Sequence, residues 1–139
     1  MRIALANIRY AATPDESIAR AEQAIEEAGA RQATIICFPE CYVPGYRGLG
    51  WTPPPPDTVF LERAWSRVGA AAARARIAVV LGTERIVNDT LAATVMVVND
   101  DGTIAGFQDK ARSTPARTGR IRRERIAECS RPGRSRLAS

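Results

Sequence analysis

Two groups in this 139-residue chain have the types and settings that chemistry on a polar bond requires. Glu40 ends the run Ile35-Ile36-Cys37-Phe38-Pro39-Glu40, where a buried apolar stretch stops at a proline and a carboxylate. Lys110 closes Gly106-Phe107-Gln108-Asp109-Lys110, just past a second stretch that reads as a strand. A positioned carboxylate can take a proton from an attacking group. A fixed ammonium can stabilise negative charge that develops on oxygen or nitrogen, far more in an enclosed site than in water.

A nucleophile would complete such a site, and three cysteines are available. Cys37 lies inside the apolar run, where a free cysteine behaves as a small hydrophobe. Cys41 adjoins Glu40 at a sheet edge and is expected to be partly exposed, but the neighbouring carboxylate raises a thiol pKa and disfavours the reactive thiolate. Cys129 stands in Glu128-Cys129-Ser130-Arg131 without a preceding buried strand. The odd count, the irregular spacing and the absence of histidine leave no Cys/His metal pattern and fit a reduced, cytoplasmic protein.

The elements that must carry Glu40 and Lys110 can be read in order. Arg2 to Ile8 reads as a first buried strand, and its apolar stretch is too short for a signal peptide or a membrane span. Thr13-Pro14-Asp15-Glu16 is a capping box with proline at the first helical position. Ile18, Ala21, Ile25 and Ala28 then fall on one helical face, with Gly29 expected as a left-handed C-terminal cap. Ala33 to Phe38 reads as a strand buried on both faces.

Residues 39–56, with Pro44-Gly45, Gly48, Gly50 and four prolines from Pro53 to Pro56, read as a long loop. Its aromatic residues Tyr42, Tyr46 and Trp51 are candidates for the wall of a substrate pocket. Asp57 is placed to cap a second helix with Leu61, Ala64, Trp65, Val68 and Ala72 on its apolar face. Ile77 to Leu81, Leu91 to Val98 and Thr103 to Phe107 read as strands, the last two joined by the turn Asn99-Asp100-Asp101-Gly102.

Phe38-Pro39-Glu40, Gly82-Thr83-Glu84-Arg85, Asp101-Gly102 and Gly106-Phe107-Gln108-Asp109-Lys110, in this order and spacing, resemble the nitrilase superfamily of carbon-nitrogen hydrolases over residues 1–110. The resemblance implies an α/β fold, here part of a four-layer αββα sandwich whose C-terminal half is missing. It also implies a Glu-Lys-Cys site that hydrolyses a small amide, carbamoyl compound or nitrile without a cofactor. On that pattern Glu40 is the base, Lys110 the cation, and a cysteine attacks to form a thioester or thioimidate that water then opens. The additional site glutamate that the family carries shortly after the lysine has no match in residues 111–118, and Cys129 follows Lys110 too closely to match the nucleophile. Glu84 is expected in a structural role, paired with Arg85 or with a neighbouring subunit.

Charge divides the chain at the same place. Residues 1–110 carry 11 basic and 13 acidic groups, whereas residues 111–139 carry nine arginines against Glu124 and Glu128. That tail has no sustained period, few large apolar residues and only a weak helical pattern from Ile121 to Cys129, so it is expected to lie outside the folded part. A change of reading frame after codon 110 would account for it, and reading the coding DNA in the other two frames tests this. Two further functions compete with an inactive, truncated hydrolase: an assembly module that forms homo-oligomers through its sheet, and an arginine tail that binds anionic partners. The tail lacks stacking aromatics and a recognisable motif, so nucleic acid is not expected as a partner, nor is a membrane.

Overall fold

The computed structural model describes residues 1–47 and 54–111; Trp51, Cys129 and the tail from residue 112 lie outside the described residues. Seven elements follow one another: β1 (Ile3–Leu5), α1 (Pro14–Ala30), β2 (Ile35–Cys37), α2 (Thr58–Ala75), β3 (Ala78–Val87), β4 (Thr90–Val98) and β5 (Ile104–Asp109). The order matches the sequence reading. The strands form one sheet in the order β1-β2-β3-β4-β5, parallel from β1 to β3 and antiparallel from β3 to β5.

Each helix begins where its capping chemistry dictates. Thr13 Oγ1 accepts the amide of Glu16, and Glu16 in turn accepts the amide of Ala12, so two otherwise unpaired donors are satisfied. Asp57 accepts the amides of Val59 and Phe60 at the start of α2. The end of α1 departs from expectation. The helix continues through Gly29 to Ala30, Arg31 caps it, and Gln32 takes the left-handed conformation instead. Gly29 is required for a different reason: a Cβ there would stand 2.8 Å from the carbonyl oxygen of Ala75, where the two helices touch.

Both helices cover the same side of the sheet. Ile18, Ala21 and Ile25 of α1 and Ala64, Val68 and Ala72 of α2 meet Ile36, Val79, Leu81, Met96 and Val98, all of them buried. Burial of Val, Leu and Ile side chains at about 1.5–3 kcal/mol each makes this layer the main source of stability. Among the described residues no helix lies on the opposite face, where Ile3, Leu5, Val95 and Val97 are exposed.

Two strands differ from their expected extents. β1 is only three residues long, whereas β3 runs six residues past Leu81 to Val87 and so includes Glu84. The extension arises because β3 pairs with β4 along nine positions, closed by Asn88 and Asp89 with φ of 48° and 58°. A two-residue turn with both residues left-handed matches the twist of a hairpin, and asparagine and aspartate tolerate that conformation best after glycine. The β4–β5 turn forms as expected, with Gly102 at φ 87° and the Asn99 amide donating to the Thr103 carbonyl. None of the described helices is long and apolar enough to cross a membrane.

Candidate active site

Glu40 and Lys110 reach one place from opposite directions. β2 hands the chain to Phe38, whose amide donates to the Val80 carbonyl, so the segment that carries Glu40 continues alongside β3. Gly82 makes the approach feasible. A Cβ on it would lie 1.8 Å from the Pro39 carbonyl oxygen, so any side chain there would displace Pro39 and Glu40. Cys41 then turns the chain with φ 48°, and the amide of Val43 donates to the Gly82 carbonyl. A left-handed non-glycine residue is a strained choice, held here by the contacts on either side.

From the other direction, β5 ends at Asp109, and the Lys110 amide donates to the Ala93 carbonyl at 2.8 Å, adding one residue to the ladder. Asp109 fixes that strand end. It accepts two hydrogen bonds from Arg85 and one from Thr94, and Arg85 also lies over the Phe107 ring. These contacts hold the Asp109 carboxyl below its ordinary pKa, with the Arg85 guanidinium as the largest cause and the Thr94 hydroxyl next.

The outcome is a direct contact: Lys110 Nζ donates to Glu40 Oε1 at 2.7 Å. The Glu40 carboxylate raises the pKa of Lys110, first through this hydrogen bond and then through its charge. Both side chains still meet water, with 69% of Lys110 and 43% of Glu40 exposed. They border a depression of about 350 Å³ whose floor includes Phe38, Gly82, Thr94 and Val95. Tyr10, a residue without a signal in the sequence, donates its hydroxyl to the Glu40 carbonyl at 3.0 Å and so ties down the backbone of the acid.

The remaining candidates are placed differently. Cys41 is buried, not partly exposed, and its thiol donates to the Thr83 carbonyl at 3.6 Å. Burial pushes the Cys41 thiol up to about 11, with the Glu84 and Glu40 charges adding to the rise and Lys110 and Arg47 opposing it. Cys37 sits half-buried in β2. Tyr42 is fully buried in the core, its ring 5.5 Å from Phe38 and its hydroxyl donating to the Arg9 carbonyl. Tyr46 remains nearer the surface, its ring 6.1 Å from that of Tyr10.

Glu84 pairs with Arg47 rather than with Arg85. Arg47 grips both carboxylate oxygens, at 2.5 Å and 2.9 Å, and also donates to the Pro54 carbonyl. Because β3 extends through Glu84, successive side chains point to opposite faces of the sheet, and Arg85 is turned away towards Asp109. Among the described residues, no group of three or more His, Cys, Asp or Glu side chains is placed to hold a metal ion.

Comparison with known proteins gives this geometry its setting. The carbon-nitrogen hydrolase family model matches residues 2–128. The chain belongs to the carbon-nitrogen hydrolase family. The match runs past Lys110, where the sequence reading ends the family-like part. Among curated proteins, an arylacetonitrilase from Aspergillus kawachii (strain NBRC 4308) is 26% identical over 110 residues, covering 72% of this chain and 34% of the relative. A second arylacetonitrilase, from Aspergillus niger (strain ATCC MYA-4892 / CBS 513.88 / FGSC A1513), is 27% identical over 100 residues, covering 65% and 30%. The chain thus spans about a third of the length of these carbon-nitrogen hydrolase relatives.

Solved structures agree on the fold. An amidase variant of the nitrilase superfamily from Nesterenkonia AN1 superposes with a TM-score of 0.65 at 20% identity, covering 81% of this chain and 43% of that one. A carbon-nitrogen hydrolase from Helicobacter pylori G27 superposes with a TM-score of 0.64 at 14% identity, covering 81% and 40%.

Proposed function

We propose that Glu40 and Lys110 are the proton acceptor and the charge-stabilising cation of a site that hydrolyses a small amide, carbamoyl compound or nitrile. The observation that carries this reading is the 2.7 Å contact between Lys110 Nζ and Glu40 Oε1 in a family of carbon-nitrogen hydrolases. When a thiol adds to the carbon of such a substrate, its proton passes to Glu40, and the charge that builds on oxygen or nitrogen faces the Lys110 ammonium. Glu40 returns that proton to the substrate nitrogen, which leaves an amide as ammonia to give the thioester and turns a nitrile into the thioimidate. The restored carboxylate then takes a proton from the water that opens either intermediate to the acid, the thioimidate losing its nitrogen as ammonia on the way. No cofactor takes part in this sequence.

Neither described thiol suits the role of nucleophile. Cys41 is buried with its pKa near 11, so almost none of it is thiolate at neutral pH, and Cys37 belongs to the β2 strand. The reading therefore holds that the chain alone, which we place in the cytoplasm, turns over no substrate. Ammonia release from small aliphatic amides and arylacetonitriles measures this, with background rates expected from the 139-residue chain.

The base and cation are tested in a chimera that joins residues 1–110 to the C-terminal remainder of the Aspergillus niger arylacetonitrilase. Ammonia release by the folded chimera is expected to fall at least about 100-fold on Glu40→Gln, the scale of a lost general base, and on Lys110→Met. Turnover that survives Glu40→Gln would remove Glu40 from the chemistry.

A further inference from the structure

Two tyrosines lace the turn that carries the acid to the segment that joins β1 to α1. Tyr10 donates its hydroxyl to the Glu40 carbonyl at 3.0 Å, and Tyr42 donates its own to the Arg9 carbonyl at 3.2 Å. The two bonds therefore run in opposite directions between the same two stretches of chain. The Tyr10 ring lies 5.7 Å from the ring of Tyr42 and 6.1 Å from that of Tyr46. Tyr42 is fully buried and its ring packs beside Phe38, so the brace is anchored in the core.

The segment that carries Tyr10 is fixed at both ends as well. The Ala6 amide donates to the Cys37 carbonyl, and the Ala12 amide donates to the Glu16 carboxylate in the first turn of α1. Tyr10 thus meets Glu40 from a short span held on either side. The phenol also keeps its proton: burial, the largest cause, and then the charges of Cys41, Tyr46 and Glu40 raise its pKa above the ordinary 10.0. A hydroxyl that stays protonated stays a donor.

This bond acts on the backbone, not on the carboxyl. The Glu40 carbonyl and the Cys41 amide belong to one planar peptide group. Its nitrogen end packs against Gly82, where a Cβ would stand 2.9 Å from the Cys41 nitrogen. Tyr10 holds its oxygen end. Beyond that plane Cys41 takes φ 48°, a conformation that a residue other than glycine keeps only where its surroundings impose it.

We infer that Tyr10 is a positioning residue for the acid: its hydroxyl fixes the Glu40 peptide and so keeps the side chain aimed at Lys110, whatever the charge on the carboxyl. The inference rests on the hydrolase reading, in which Glu40 alternates between carboxylate and acid during each turnover. Lys110 grips the carboxylate through a charge-assisted bond, and that grip weakens while Glu40 carries a proton. A bond to the backbone carbonyl does not depend on that proton. Tyr10 therefore restrains the acid in the part of the cycle when the ion pair does not.

NMR of the full chain tests this. Lys110 is the sole lysine, so isotope-labelled lysine gives a single side-chain ammonium signal. In Tyr10→Phe that signal is expected to move most of the way towards its place in Glu40→Gln, while the melt stays cooperative. In Glu40→Gln, where an amide stands in for the protonated acid, the carbonyl carbon of residue 40 is expected to keep the shift that hydrogen bonding imposes, and to lose it when Tyr10→Phe is added. A hydroxyl that served stability alone would lower the melt and leave both signals in place. A folded Tyr10→Phe with an unchanged ammonium signal overturns the inference, as does a residue 40 carbonyl that ignores the loss of the hydroxyl. If Tyr10→Phe fails to fold, the unsubstituted chain decides: the Tyr10 hydroxyl proton is expected to be protected from exchange with water, and one that exchanges freely overturns the inference. The hydrolase reading fails separately, through turnover that survives Glu40→Gln, which these spectra do not measure.

Discussion

Lys110 Nζ lies 2.7 Å from Glu40 Oε1, although 70 residues separate them in the chain. The contact depends on two backbone devices: the glycine at 82, which lets Pro39 approach β3, and the extra ladder bond that seats Lys110 opposite Ala93. Exposed ion pairs add little to stability, so the pair is a matter of placement more than of folding energy.

Gly82→Ala tests the first device. A methyl group there would sit 1.8 Å from the Pro39 carbonyl oxygen, a distance that forces the backbone to move. The substitution is expected to destabilise the chain by about 3 kcal/mol or more, the upper end of overpacking costs. Urea denaturation reads the loss, and a midpoint equal to that of the unsubstituted chain would contradict the close approach.

Arg47 and Glu84 should behave as a buried pair. Only 3% of the Glu84 side chain is exposed, so Arg47→Ala would leave its charge uncompensated, at a cost of about 3–5 kcal/mol. Replacing both partners with methionine should cost much less than Arg47→Ala alone, because no charge is then stranded. Equal losses in the two variants, measured in urea, would show that packing rather than charge dominates.

Cys41 predicts the alkaline limb of stability. Its folded pKa, near 11, exceeds the ordinary value of 9.0, so the neutral thiol is the form the fold prefers. The corresponding stability is complete below pH 9.0 and declines as pH rises towards 11. In Cys41→Ala this part of the decline should vanish. Urea midpoints at increasing pH check it, and parallel curves for the two proteins would refute the assignment.

Much of this arrangement was legible in the sequence because it rests on local signals. The caps at Thr13 and Asp57, the apolar face of each helix and the glycine turn after Val98 fixed the element order without reference to tertiary contacts. What local signals could not reveal were the partners. Glu84 finds Arg47 across 37 residues, and the decision depends on how far β3 extends, which in turn depends on the Asn88-Asp89 turn. Cys41 likewise reads as a sheet-edge residue, and only the run of Phe38 to Val43 alongside β3 buries it. Gly29 shows the converse, a residue read as a terminal cap whose requirement comes from the neighbouring helix.

The most direct test of the Glu40–Lys110 unit is an NMR titration of the Lys110 side chain in the unsubstituted chain and in Glu40→Gln. Because the Glu40 carboxylate raises the pKa of Lys110 above its ordinary 10.5, the pair's contribution to stability is complete below that pH and is lost as pH rises through the higher folded value. The account predicts that Lys110 titrates above 10.5 in the unsubstituted chain and falls back towards it in Glu40→Gln. An identical titration in both proteins would contradict it.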